Sequence, residues 1–164
     1  MGRFTAAFVS MFPFVAFAAD IPDLSFYRSA AEGGLAEVEL GNMAQQQAHS
    51  QSVREFGALM VKDHSAANEK LKTIADSKNI TLPANTSVEE MAAKARLKVL
   101  SGSSFDKSYI KGMIKDHQED IAEFKKEATS GRDPDARAFA SATLPTLEAH
   151  LKKIQSIAAE ASAD

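Results

Sequence analysis

Two short runs of the chain each place a histidine four positions after a methionine: MVKDH at residues 60–64 and MIKDH at residues 113–117. Side chains four residues apart lie on the same face of a helix. A third histidine, His150, lies on the apolar stripe of another predicted helix. Buried imidazoles are costly unless they are hydrogen-bonded or bound to a metal ion, so this pattern indicates metal-binding chemistry.

Each of four predicted long helices offers one donor near its middle, and the middles of antiparallel helices of equal length lie at one level. Three imidazoles and a carboxylate suit zinc, copper, nickel or iron by ligand type. We therefore predict a transition-metal site in the core of a helical bundle, with copper or zinc as the metal. Its predicted ligands are Glu37, His64, His117 and His150.

The two methionines that precede these histidines bear on the choice between copper and zinc. Met60 and Met113 lie on the same helix faces as His64 and His117. A thioether beside an imidazole is a soft environment that favours copper. Methionine also fills apolar cores without binding anything, so the two are secondary candidates and both metals stay open.

Several acidic residues flank the predicted site. Glu39 and Glu148 would replace Glu37 if the helix phases differed by one position. Asp63 and Asp116 each precede a histidine directly, one position off the apolar stripe. They could orient an imidazole from outside the ligand shell, but we expect them to be solvated charges.

The sequence argues against a ferritin-type di-iron centre. Such a centre needs Glu-x-x-His on two helices. The residues three positions before the three histidines are Val61, Ile114 and Leu147, so that motif is missing. Neither a glycine-rich phosphate loop nor a Ser-His-Asp arrangement is visible, and enzymatic activity is not predicted.

Three alternatives to a metal-storing bundle stay open. One is a small redox enzyme, which would need an open coordination position on the metal. Another is a b-type haem protein with His64 and His117 as axial ligands. The third is a metal-free structural or interaction protein of the cell envelope, in which the histidines are only packed.

The first 19 residues are predicted to be a secretory signal and not part of the fold. Arg3 precedes an uncharged, largely apolar run, and Ala16-Phe17-Ala18 has the small residues that a signal peptidase requires. Cleavage is expected after Ala18 or Ala19. The run is too short to span a bilayer comfortably, so a periplasmic or secreted protein is predicted, with no stable membrane insertion after cleavage.

Composition narrows the chemistry of the exported chain. Loss of Arg3 changes the formal net charge from −3 to −4, and this mild acidity argues against nucleic acid as a partner. The chain has no cysteine. Thiolate zinc sites, iron–sulfur clusters, cysteine nucleophiles and covalent c-type haem are therefore excluded.

Apolar residues recur at three-four spacing through the exported chain, and alanine, leucine, lysine and glutamate are abundant, which predicts helix throughout. Long helices are expected at about 23–48, 51–77, 104–129 and from Pro134 onward, with a kink at Pro145. A capping box at Ser87 and Glu90 predicts a short extra helix in the crossover after Pro83. The predicted fold class is all-α, a ferritin-like four-helix bundle forming one domain over residues 20–164.

Several of these motifs, taken in order, resemble the family called domain of unknown function 4142. They are AEGGLAEVELG at 31–41, MVKDH at 60–64, Phe105-Asp106 with Tyr109, MIKDH at 113–117, and TLPTLEAHL at 143–151. The resemblance covers nearly the whole exported chain. It implies a ferritin-like bundle exported by bacteria, and its marked positions include the three histidines and the glutamates of the first helix. It implies no activity.

Overall fold

Five α-helices form the part of the chain that the computed structural model describes, residues 21–162. The predicted signal sequence lies outside the described residues. The helices are α1 (Leu24–Gln47), α2 (Gln51–Ser77), α3 (Val88–Lys98), α4 (Gly102–Ser130) and α5 (Pro134–Glu160). The prediction of an all-α, ferritin-like four-helix bundle with a short helix in the crossover is confirmed.

The four long helices pack as two hairpins. α1 lies along α2, and α4 lies along α5, each pair joined by a short turn. Between the hairpins, α1 contacts α4 and α2 contacts α5, so the order around the bundle is α1, α2, α5, α4. The short α3 lies over the α1–α4 side. Within residues 21–162, no helix has both the length and the apolar character that crossing a membrane requires.

Small residues bring α1 and α2 into close contact. A Cβ atom at Gly41 would lie 2.6 Å from the carbonyl oxygen of Gly57, and a Cβ at Gly57 would lie 2.6 Å from that of Gly41. Real side chains do not tolerate such distances, so glycine is required at both positions. The absence of side chains at Gly41 and Gly57 thus allows the backbones of α1 and α2 to lie close together.

Helix ends are fixed by side chains from distant parts of the chain. Ser50 stands at the start of α2 but makes no capping hydrogen bond with its side chain. The carboxylate of Asp106 in α4 instead accepts hydrogen bonds from the backbone N–H groups of His49 (2.9 Å) and Ser50 (2.7 Å), just before α2 begins. The predicted capping box of Ser87 and Glu90 is present at α3.

The residues of α5 stay helical on both sides of Pro145.

The buried apolar side chains form two clusters at different heights of the bundle. One includes Phe56, Met60, Tyr109, Met113 and Ile154. The other includes Phe26, Leu71, Phe124, Phe139 and Leu147. Along α2, α4 and α5, each of the three predicted histidine ligands falls between residues of the first cluster and residues of the second. The histidines therefore occupy a layer between two apolar blocks, where little water competes for their nitrogens.

Candidate metal centre

Three imidazole rings from three helices meet in this layer. The ring centroids of His64 (α2), His117 (α4) and His150 (α5) lie 5.4 to 5.8 Å from one another. One nitrogen of each ring lies within 4.8 Å of a nitrogen of each of the others, and all three residues are buried. A zinc or copper ion needs nitrogens about 2 Å away, so a small inward shift of the rings would complete a three-nitrogen site.

Each of the three rings has a buried nitrogen without a hydrogen-bond partner. His117 donates from Nδ1 to the backbone oxygen of Met113, at 2.9 Å, so its Nε2 carries no proton and has no partner. His150 Nε2 lies 3.0 Å from a carboxylate oxygen of Asp63, which leaves its buried Nδ1 without a partner. His64 Nε2 is also buried and unpartnered. Histidines that bind metals are typically oriented in this way through their second nitrogen.

Burial keeps the three histidines neutral, which is the form that binds metals. It lowers the pKa of His64 to about 3, with further lowering from the nearby His117 and His150. The pKa of His117 falls to about 4, again mainly through burial and secondly through His150. Burial also lowers the pKa of His150, although Asp63 opposes the shift. At neutral pH an incoming ion would therefore displace no protons from these rings.

A cavity of about 220 Å³ leads to two of the histidines from the α2–α5 side. It is lined by residues that include Asp63, His64, Thr143, Thr146 and His150. Three protein nitrogens leave a tetrahedral ion with a fourth position. The cavity offers a route by which an ion could enter and a place for a water molecule or another exogenous ligand.

The structure does not bring Glu37 into this triad. Its Oε1 lies 3.6 Å from His117 Nδ1, the nitrogen that already donates to Met113, and not beside the free Nε2. Burial raises the pKa of Glu37 well above its usual value, and Asp120, Asp116 and Glu90 raise it further. Since burial also holds His117 neutral, the 3.6 Å contact is a polar contact and not an ion pair.

The other acidic candidates are also apart from the triad. Glu39 is half exposed and pairs with Lys94 at 2.5 Å. Glu148 is half exposed and pairs with Lys125 at 2.8 Å. Both carboxylates are thus at the surface with ordinary ion-pair partners, and surface pairs of this kind contribute little to stability.

The two methionines are buried in the apolar cluster next to the histidine layer. Met60 and Met113 are each at most 1 % exposed, and both pack in the same cluster as Phe56 and Tyr109. Phe56 also contacts the rings of His117 and His150, with centroids 6.2 and 6.3 Å apart. The position fits a core residue, and Met60 and Met113 stay candidate soft ligands because each lies one helical turn before a histidine of the triad.

Two functional features were missed by the sequence reasoning. Asp63 was expected to be a solvated charge, but it contacts His150 across the bundle. Asp116 was weighed only as a residue that could orient a histidine, and Asp120 was linked to no site, yet both line a cavity between α1, α3 and α4 together with Glu37 and Glu90. For the contact between Asp63 and His150, the only signal in the sequence was that Asp63 comes directly before His64.

The chain is thus a small helical bundle whose buried histidine triad forms a candidate transition-metal site. The chain belongs to the DUF4142 family of unknown function, whose model matches residues 15–157. No curated protein matches the chain in sequence.

Among solved structures, the bundle is similar to CopM in its Cu(I)-bound form, with a TM-score of 0.69, 19 % sequence identity, and coverage of 84 % of this chain and 95 % of CopM. CopM in an Ag-bound form gives a TM-score of 0.66 and 17 % identity, with coverage of 84 % and 95 %. A DUF305 fragment from Deinococcus radiodurans gives a TM-score of 0.72 and 12 % identity, with coverage of 82 % and 93 %. At these identities the similarity establishes the fold.

Proposed function

We propose that this protein binds one copper or zinc ion through His64, His117 and His150 and serves metal handling or stress tolerance in the bacterial envelope. The observation that carries the proposal is the convergence of three buried imidazoles with a free nitrogen on each ring. Unpartnered buried nitrogens are costly, and a metal ion satisfies all three at once. The similar fold of CopM, which has been solved in Cu(I)-, Cu(II)- and Ag-bound forms, supports the proposal.

Copper is favoured over zinc if a thioether joins the three imidazoles. Met60 and Met113 each lie one helical turn before a histidine of the triad and are buried, and the chain contains no cysteine. A site of three nitrogens with a water molecule would instead suit zinc. The variant Met60→Leu conserves volume and tests this point, because it should weaken Cu(I) binding markedly while leaving Zn²⁺ binding unchanged.

Metal titration of protein purified without a histidine tag and stripped with a chelator tests the proposal. We expect one equivalent of Cu(I) or Zn²⁺ to bind. Replacing any one of the three histidines by glutamine should weaken binding by more than about 100-fold, and a second replacement should add little, because the ligands act on one ion. His49→Gln is the matched control, since His49 is exposed at the α1–α2 turn and should not affect binding.

A bound ion should also stabilise the fold, because the unfolded chain lacks the assembled layer. At a free metal concentration of 100 times Kd, the gain in the free energy of unfolding is about 2.7 kcal/mol. A wild-type protein that binds no stoichiometric metal, and whose melting temperature is unchanged by Cu²⁺ or Zn²⁺, would contradict the proposal. The alternative of a metal-free envelope protein would then be the better account.

Export is the second part of the proposal and has a separate test. It rests on the sequence of residues 1–19, with its uncharged run and the Ala16-Phe17-Ala18 site. We expect the intact mass of the protein from the periplasm or medium to correspond to a chain that begins at Ala19 or Asp20. A mass that matches the full chain would contradict signal cleavage.

A further inference from the structure

A second cavity lies on the opposite side of the bundle from the opening to the histidine triad. It has a volume of about 530 Å³ and is enclosed by α1, α3 and α4. Carboxylates of Glu37, Glu90, Asp116 and Asp120 line it, and we call it the acidic chamber. The opening to the triad is lined by α2 and α5 instead, so the two cavities are separate.

The carboxylates of the acidic chamber converge because small residues make room for them. A Cβ atom at Gly33 of α1 would lie 3.9 Å from Asp120 Oδ1 and 3.9 Å from Glu90 Oε1. These two oxygens, from α4 and α3, therefore face the same spot on α1. Glu37 follows Gly33 by one helical turn, so its side chain lies on the same face of α1.

Two buried polar atoms in the lining have no hydrogen-bond partner. Glu37 is 3 % exposed, and its Oε2 is unpartnered. Tyr109 is fully buried, and its hydroxyl is likewise unpartnered. Native proteins rarely leave such atoms unsatisfied, so these two call for a bound partner in the acidic chamber.

Three cations, Arg96, Lys111 and Lys115, also line the chamber, against six carboxylates. Within residues 21–162, neither Arg96 nor Lys111 forms an ion pair with a carboxylate. Lys115 is exposed and pairs mainly with Glu119 at 2.6 Å, with Asp116 more distant at 3.9 Å. Within residues 21–162, Asp120 has no ion-pair partner that the structure reveals, and Glu37 has only the contact to neutral His117. A small cation from solution would supply the missing positive charge.

We propose that the acidic chamber binds a hydrated hard divalent cation, of the class of Ca²⁺, Mg²⁺ and Mn²⁺. Carboxylate and hydroxyl oxygens are the donors that these cations prefer, and they suit a copper or zinc site poorly. In the described part of the chain, only the histidine triad sets three ligand atoms within 4.8 Å of one another. The cation therefore keeps water molecules between itself and some of the carboxylates, for which the chamber has room.

Terbium luminescence tests this site, because Tb³⁺ binds oxygen ligands and is excited through a nearby tyrosine. The chain has two tyrosines and no tryptophan. Tyr109 lines the acidic chamber, whereas Tyr27 packs in the other apolar cluster and donates to Asp133. We expect saturable Tb³⁺ luminescence that Ca²⁺, Mg²⁺ or Mn²⁺ displaces, that is lost in Tyr109→Phe and that persists in Tyr27→Phe.

Charge-removing variants locate the cation. Glu37→Gln and Asp120→Asn should each weaken Tb³⁺ binding by about tenfold or more, since each replaces a carboxyl group, which can bind the cation as a carboxylate, by a neutral amide. Glu39→Gln is the matched control, because Glu39 lies two residues from Glu37 on α1 but pairs with Lys94 at the surface. Circular dichroism of each variant checks that the bundle is intact, and the less buried Asp120 provides a second test if Glu37→Gln fails to fold.

His150→Gln separates this proposal from the proposed function. It should abolish copper or zinc binding at the triad and leave the terbium signal unchanged. Loss of the terbium signal in His150→Gln would place the ion at the triad and overturn the chamber site. Absence of luminescence, luminescence that depends on Tyr27, binding that divalent cations do not displace, or binding that survives both carboxylate variants would also overturn it.

Discussion

His150 of α5 and Asp63 of α2 are in contact across the bundle, with Nε2 and Oδ2 3.0 Å apart. Because the contact engages Nε2, the buried Nδ1 is the nitrogen of His150 that is left without a partner. The contact also joins the first hairpin to the second. We therefore expect Asp63 to position His150 at the candidate metal site and not to bind the metal itself.

Asp63→Ala should weaken metal binding without removing it. Outer residues that orient a metal-binding histidine are typically worth about 10- to 100-fold in affinity. We expect a loss in this range in a competition titration with a chelator, for whichever of copper or zinc the wild type binds. Asp76→Ala is the control, because Asp76 is exposed on the same helix and pairs with Lys72. Equal affinities of the wild type and Asp63→Ala would show that the contact does not orient His150.

In the metal-free protein, the contribution of the buried histidines to stability should fall as the pH falls from about 6.5. In the folded protein the pKa values of His64 and His117 are lowered to about 3 and about 4, whereas the ordinary value is 6.5. Below about pH 6.5 and above about pH 4, the unfolded chain binds protons at these two histidines, whereas the folded chain does not. This difference lowers the free energy of unfolding as the pH falls. At pH 5 the effect for His64 alone is about 2 kcal/mol relative to pH 8.

Urea unfolding in the presence of a chelator measures this effect. Carboxylates in the acidic chamber act in the opposite direction, since burial raises the pKa of Asp116 to about 6 and of Asp120 to about 7. Their favourable contribution is present below about pH 4 and is lost as the pH rises through 6 to 7. Comparing the wild type with His64→Gln isolates the histidine, and the variant should lose about 2 kcal/mol less between pH 8 and pH 5. If the free energies of unfolding of the wild type and His64→Gln changed equally with pH, the lowered pKa of His64 would be contradicted.

Gly41→Ala should destabilise the bundle, because its Cβ would collide with the backbone of α2 at Gly57. Overpacking of this kind costs about 1 to 3 kcal/mol. Gly33→Ala on the same helix is the matched control. Its Cβ would make only contacts of 3.9 Å, and alanine favours helix, so we expect unchanged or slightly higher stability. Thermal or urea unfolding of both variants tests the contrast, which would fail if Gly41→Ala were as stable as Gly33→Ala.

Hydrogen exchange should be fastest in the crossover that contains α3. Only Leu97 of α3 is buried, while Val88 and Val99 at its two ends are largely exposed. Few buried contacts mean that local opening costs little free energy. We expect α3 amides to exchange before those of α2, whose apolar face is buried along its whole length. Slower exchange in α3 than in α2 would contradict this account.

Much of the fold could be predicted because the signals are local. The three-four spacing of apolar residues, the capping box at Ser87 and the proline at the start of α5 each act within one or two helical turns. The histidine triad was also predictable, since each histidine lies on an apolar stripe near the middle of a long helix. Depth in the bundle follows from helix length alone when neighbouring helices are antiparallel.

The parts that could not be predicted depend on how one helix is rotated against another. Glu37 lies on the buried face of α1, as expected, but this face turns toward α4 and the acidic chamber instead of the triad. Asp63 is one position off its stripe, and its partner lies 87 residues away on α5. Periodicity within a single helix carries no information about such a pairing.

The distribution of the three histidines over the hairpins has a mechanical consequence. His64 belongs to the α1–α2 hairpin, while His117 and His150 belong to the α4–α5 hairpin. Packing is denser within each hairpin than between them. An ion held by all three rings would therefore act as a crosslink between the two hairpins, in addition to the two apolar clusters to which both hairpins contribute.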